Sequence, residues 1–137
     1  MRGGTANCTV ILSDERIGSP LVEKPTEIIV MNRPSLAKFE GDVAPGGTVF
    51  INSSIVHDKV SRTDVKVVYV PCDDIAKELG NPKVGNMVML GAYVAATGVL
   101  KKETIEHMIT DMFTGKKAKL VPLNMEALNR GMACITQ

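Results

Sequence analysis

Arg2-Gly3-Gly4-Thr5-Ala6-Asn7 is the run whose residue types point most directly at ligand chemistry. Paired glycines let a backbone approach an anion closely, and an arginine adds charge and a planar donor fork suited to phosphate or carboxylate. As a bare pattern it is equally a glycine turn. Three further polar groups follow apolar runs: Asn32 with Arg33, Asn52 with Ser53 and Ser54, and Cys72 with Asp73 behind Pro71. In open parallel sheets ligands lie beyond the carboxyl ends of the strands, where these residues would fall. The competing use of Asn, Ser and Asp at such places is helix capping and turn making. Asn81 and Asn86 bracket the start of a long apolar stretch. A helix start attracts anions, although Asn81 ahead of Pro82 is also an ordinary cap.

Residues that build reaction centres are sparse. Cys8, Cys72 and Cys134 lie far apart with no CxxC, and His57 and His107 are isolated. The expectation is that this chain holds no metal and no iron–sulfur cluster. There is no P-loop, no GxGxxG, no GxSxG and no HExxH, so no catalytic residue is nominated. Sixteen basic and fifteen acidic residues leave a net charge of +1, and aromatics are 4% with no Trp. Nucleic acid is therefore not an expected partner, since phosphate contact needs clustered cations and base stacking needs aromatic rings. Nor is a membrane: the longest apolar stretch, Met87 to Ala96, is well short of the ~20 residues that cross a bilayer. Scattered thiols and the lack of a secretory pattern at the first residues fit the cytoplasm.

The elements that must position these groups follow from patterning. A length of 137 residues fits a single domain over 1–137. Cys8, Val10 and Leu12 alternate with Thr9 and Ile11, which predicts a strand. Ile28-Ile29-Val30-Met31 is apolar on both faces, as in the centre of a parallel sheet. Pro34 suits the first turn of a short helix carrying Leu36, Ala37 and Phe39. The turn Pro45-Gly46-Gly47 leads into a strand over Thr48 to Asn52, and 53–64 is polar and irregular. Val65 to Val70 is a fourth strand ended by Pro71. A helix from Asp74 to Leu79 follows, with Asp73 as cap and Gly80 as stop.

The helix predicted from Pro82 to about Thr97 is apolar on nearly every side. It is buried in the core or against another subunit, with small Gly85, Gly91 and Ala95 allowing a close neighbour. Ile105, Met108, Ile109, Met112 and Phe113 mark an amphipathic helix, and a last helix starts at Asn124 with Ala127, Leu128, Gly131 and Ile135 on one side. Mixed strands and helices in this order predict an α/β layered fold, a largely parallel sheet flanked by helices.

One succession of motifs spans the chain: Met1 to Val10, Ser13-Asp14, Ile17-Gly18-Ser19-Pro20, Met31-Asn32 with Pro34-Ser35-Leu36, Pro45-Gly46-Gly47, Asn52-Ser53, Leu79-Gly80-Asn81, Asn86-Met87 with Leu90-Gly91, and Leu123-Asn124 with Glu126-Ala127-Leu128 and Gly131. It resembles the gamma subunit of a 2-oxoacid:ferredoxin oxidoreductase, with the 2-oxoglutarate branch most similar and the 2-oxoisovalerate branch close behind. Members of that family begin some tens of residues earlier, with a strand, a Gly-Gly-Gln-Gly turn and a helix. The resemblance therefore implies a Rossmann-like domain without its first βα unit, truncated at its amino end.

The resemblance also implies what the complete enzyme does: it converts a 2-oxo acid and coenzyme A to an acyl-CoA, carbon dioxide and reduced ferredoxin. Thiamine diphosphate carries the decarboxylation and iron–sulfur clusters carry the electrons, both on the partner alpha, beta and ferredoxin-like subunits. The gamma subunit is implied to be a structural and substrate-access component. Its loop of Arg2, Gly3, Gly4 and Asn7 would lie on the coenzyme A side or at a subunit interface. Two other classes stay open on the residues alone: a non-enzymatic assembly module, and a methyltransferase-like fragment suggested by Pro45-Gly46-Gly47 ahead of a strand. An oligomer is expected, because the apolar helix and an open sheet edge both need cover.

Overall fold

Val49, Phe50 and Ile51 are fully buried, which places the strand β2 (Thr48–Asn52) at the middle of the molecule. In the computed structural model, which describes residues 8–18 and 24–135, β2 lies between β1 (Glu27–Val30) and β3 (Lys66–Val70) in a parallel sheet of order β1-β2-β3. Ile29 pairs with Phe50 and Ile51 with Tyr69. Parallel pairing demands a crossover between successive strands, and cover on both faces explains why β2 reads as an unbroken apolar run. Val49 and Ile51 face a cluster with Val30, Leu36, Val43 and Val56. Phe50 faces the larger cluster, built with Val70 and the later helices.

Among the described residues five α-helices flank the sheet. The first, α1 (Arg33–Phe39), crosses from β1 toward β2 and buries Leu36. Then come α2 (Cys72–Glu78), α3 (Gly85–Thr97), α4 (Lys102–Met112) and α5 (Val121–Ala133). The layered α/β class with a parallel sheet is thus the one expected.

The apolar helix α3 finds its cover within the chain. Met87, Val88, Met89, Ala92 and Val94 are buried, and α5 packs across them with Ala127 and Leu128. Two glycines set the closeness of that crossing. A Cβ added at Gly91 would run into the carbonyl of Leu128 and stand 3.0 Å from the nitrogen of Met132. A Cβ at Gly131 would collide with the Val88 carbonyl, its carbon 2.7 Å away. Backbone meets backbone here, so each glycine is required by space.

Several expectations need correction. Residues 8–12 form no strand: they are irregular, and Val10 is 78% and Leu12 66% exposed. Alternating residues make a strand only when a neighbour takes up the backbone donors and acceptors, and among the described residues no strand pairs with them. The described sheet therefore has three strands, not four. Helix α2 starts at Cys72, so Asp73 sits inside its first turn and is not its cap. A separate 3-10 turn, Pro82–Val84, precedes α3. Helix α5 starts at Val121; Asn124 lies within it, buried, its Nδ2 donating to the Leu120 carbonyl at 2.8 Å. On α4 the buried stripe is Ile105 and Ile109, while Met108 and Met112 stand on its rim, about half exposed.

Candidate functional site

The carboxyl ends of the three strands carry the polar residues that the sequence singles out, and most of them are engaged in holding the fold. Asn32 is the N-cap of α1: its Oδ1 accepts from the Ser35 N–H at 3.0 Å. Asn52, the last residue of β2, is 1% exposed. Its Oδ1 accepts from the Ser54 N–H at 3.3 Å, and its carbonyl accepts from Val56 at 2.9 Å. This is an Asx-type turn, the local use that Asn favours. Ser53 donates its N–H to the Val70 carbonyl at 2.9 Å, and Ser54 Oγ accepts from the Asp74 N–H at 3.1 Å.

The turn after β2 is therefore fastened both to β3 and to the first turn of α2. Asp73 joins them, since a Cβ at Gly85 would stand 3.3 Å from its Oδ1. The fold thus gathers Asn52, Ser53, Ser54, Asp73 and Asp74 near the start of α3. Asn86, in the first turn of α3, is exposed and accepts from the Met87 N–H at 2.9 Å. Asn81 is not part of the group: it caps the Pro82–Val84 turn, accepting from Lys83 at 2.9 Å, and its own N–H donates to Ala76 in α2. Arg33 turns outward to an exposed ion pair with Asp58 at 2.8 Å. Arg2, Gly3, Gly4 and Asn7 lie outside the described residues.

This edge binds its own backbone more than it offers groups for a reaction. Cys72, the thiol nearest the cluster, is fully buried. Burial first, then the neighbouring Asp73, pushes its pKa up to about 12, so it is a protonated thiol at neutral pH and a poor nucleophile or ligand. Burial likewise raises Cys134, whose Sγ donates to the Arg130 carbonyl. Among the described residues no group of three or more His, Cys, Asp or Glu could hold a metal ion, and no helix is long and apolar enough to cross a membrane.

Patterning missed a side-chain clamp. Arg62, in the irregular stretch between β2 and β3, donates from Nη1 to the carbonyls of Glu40 and Val43, and from Nε and Nη2 to Asp64 at 2.9 and 2.6 Å. The Arg62 hydrogen bond holds the Asp64 carboxyl below its ordinary value, and Asp64 raises Arg62 in turn. Gly46 donates to the Asp64 carbonyl at 2.7 Å, so this clamp ties the β2–β3 connection to the turn that enters β2. A second tie crosses the sheet edge: Tyr93 of α3 donates to Glu27 of β1 at 3.0 Å. The Arg-x-Asp spacing of 62 and 64 is the sole local hint of the first; nothing local signals the second.

Comparison with known proteins places this architecture. Residues 1–134 match the family model described as pyruvate ferredoxin/flavodoxin oxidoreductase. The ketoisovalerate oxidoreductase subunit VorA of Methanothermobacter marburgensis is 38% identical over 132 residues, 95% of this chain and 27% of VorA. The 2-oxoglutarate synthase subunit KorC of Methanocaldococcus jannaschii is 36% identical over 112 residues, 80% of this chain and 60% of KorC. The chain therefore spans about a quarter of the one relative and three-fifths of the other. Among solved structures, the keto/oxoacid ferredoxin oxidoreductase gamma subunit from Geobacter sulfurreducens superposes with a TM-score of 0.72 at 26% identity, over 80% of this chain and 63% of that one. A match over nearly every residue, on a parallel sheet of the same fold, has one reading: the chain belongs to the pyruvate ferredoxin/flavodoxin oxidoreductase family.

Proposed function

We propose that this chain acts as the gamma component of a 2-oxoacid:ferredoxin oxidoreductase, a structural and substrate-access part of a complex that turns a 2-oxo acid and coenzyme A into an acyl-CoA, carbon dioxide and reduced ferredoxin. The observation that carries this reading is the family match over residues 1–134, on a chain whose polar strand ends are occupied by capping. We favour 2-oxoglutarate as the acid, on the opening run Met1 to Val10 and the likeness to KorC. The likeness to VorA makes a branched 2-oxo acid the runner-up.

In this reading the partners are alpha, beta and ferredoxin-like subunits in the cytoplasm, with ferredoxin as acceptor of the complex. Thiamine diphosphate and the iron–sulfur clusters belong to those partners; thiamine diphosphate supplies the decarboxylation chemistry when bound. The loop of Arg2, Gly3, Gly4 and Asn7 faces coenzyme A or a partner subunit, where Arg2 meets a phosphate or carboxylate. The test is affinity purification of the tagged chain co-expressed with these subunits. Stoichiometric recovery of all of them is expected, and recovery of the chain alone would overturn the reading. Within such a complex Arg2→Ala is expected to raise the KM for coenzyme A or to weaken assembly. Wild-type values for both would make the loop a simple turn.

A further inference from the structure

Cys72 and Cys134 are free thiols far apart in sequence, and two separate packing registers bring them together. The first is between α3 and α5, which run antiparallel: Gly91 lies against Leu128, and Val88 against Gly131. The same step of three residues sets Gly85 opposite Cys134, which keeps helical backbone angles at the end of α5. Gly85 in turn lies against Cys72. A Cβ added at Gly85 would stand 3.7 Å from the Cys72 Cβ and 3.6 Å from its carbonyl oxygen.

The second register is between α2 and α5. Glu78, the last residue of α2, pairs with Arg130 of α5. From that contact α2 leads back six residues to Cys72, and α5 leads forward four to Cys134. These are about 9 and 6 Å of helix at 1.5 Å per residue, and both paths end at the start of α3. The two thiols also share one apolar cluster, Cys72 inside it and Cys134 packed against it. Burial, then Asp73, does most to raise the Cys72 thiol, and Cys134 adds to the rise as a near neighbour does.

We propose that Cys72 and Cys134 form a disulfide when hydrogen peroxide reaches the chain, fastening the start of α2 to the end of α5. Cys134 reacts first, because it is partly exposed and Cys72 is fully buried. Its sulfur attacks one peroxide oxygen and the O–O bond breaks. The sulfur is left as a sulfenic acid, and the other oxygen leaves as water. Cys134 then turns from the Arg130 carbonyl, to which its Sγ donates at 3.3 Å, toward Cys72. Cys72 loses its proton and attacks the Cys134 sulfur; the S–O bond breaks and a second water leaves. Two electrons pass from the thiol pair to the peroxide, and two waters complete the balance. The raised Cys72 thiol makes closure the slow step at neutral pH. This inference does not depend on the functional reading above.

The test removes the exposed Cys8 by Cys8→Ser, treats the full chain with hydrogen peroxide under native conditions, and then labels remaining thiols with a maleimide in denaturant. The expected result is a monomer that has lost two hydrogens and takes no label. Digestion should yield one linked pair of peptides carrying Cys72 and Cys134. The urea midpoint should rise on oxidation and return with dithiothreitol, since a cross-link between distant residues constrains the unfolded chain. With Cys72→Ala added, dimedone should trap the sulfenic acid on Cys134, and the midpoint should not rise on oxidation. Two labelled thiols after peroxide overturn the proposal. So does Cys134 oxidised to the sulfinic acid beside a labelled Cys72, or a disulfide formed between two chains.

Discussion

Helix α3 and the segment 8–13 are both strongly apolar in sequence, and they meet opposite fates. The helix is buried among Phe50, Ala127 and Leu128 and locked there by backbone contacts at Gly91 and Gly131. The segment lies at the surface with Val10 and Leu12 bare. Apolar patterning says that a stretch seeks cover. Whether its own chain supplies that cover depends on a partner element, and among the described residues α5 has no counterpart beside residues 8–13. The α3–α5 crossing therefore carries stability, to which the exposed Val10 and Leu12 add little.

The sharpest way to break that contrast is to wedge the crossing. Gly131→Leu places a side chain against the Val88 backbone, and overpacking that backbone must absorb costs about 3 kcal/mol or more. Loss of the cooperative urea transition, or a midpoint lowered by most of the stability of the domain, is expected; a wild-type midpoint would show that the helices are not in contact there.

A smaller effect is expected from Arg62→Ala, which frees the Glu40 and Val43 carbonyls and releases Asp64. The melting temperature should fall at neutral pH while the α3–α5 core persists. Asp64 titrates below its ordinary value in the folded chain, so its contribution is present above the unfolded carboxylate pKa and lost as pH falls through the folded one. The gap between wild type and Arg62→Ala should accordingly narrow toward acid pH. An equal gap at neutral and acid pH would mean that the pair with Asp64 adds nothing.

The smallest effect on stability should come from Val10→Ser/Leu12→Ser, within about 0.5 kcal/mol of wild type in urea denaturation, as for exposed substitutions elsewhere. A larger loss would mean that the segment already serves the core.

These differences follow what was legible in the residues. The strands β1, β2 and β3 stood out as short, mostly apolar runs, the second entered by Pro45-Gly46-Gly47 and the third ended by Pro71, and the cap Asn81 because capping ahead of a proline is a local pattern. Layer class and helix order followed from the alternation of such runs. Residues 8–12 were misread because alternation reports which side chains share a face and says nothing of a neighbouring strand. Arg62 was passed over because its carbonyl partners lie 19 and 22 residues away, beyond any local pattern. Asn32 follows β1, Asn52 ends β2 and Ser53 follows it. Their hydrogen bonds show a structural use that residue type alone leaves level with ligand binding.

The most direct test of the functional account is reconstitution of the enzyme from alpha, beta and ferredoxin-like subunits with and without this chain, measuring coenzyme A-dependent reduction of ferredoxin by 2-oxoglutarate. The account predicts turnover that requires the chain and is faster with 2-oxoglutarate than with 2-oxoisovalerate, while the chain alone has none. Equal turnover in its absence would contradict it.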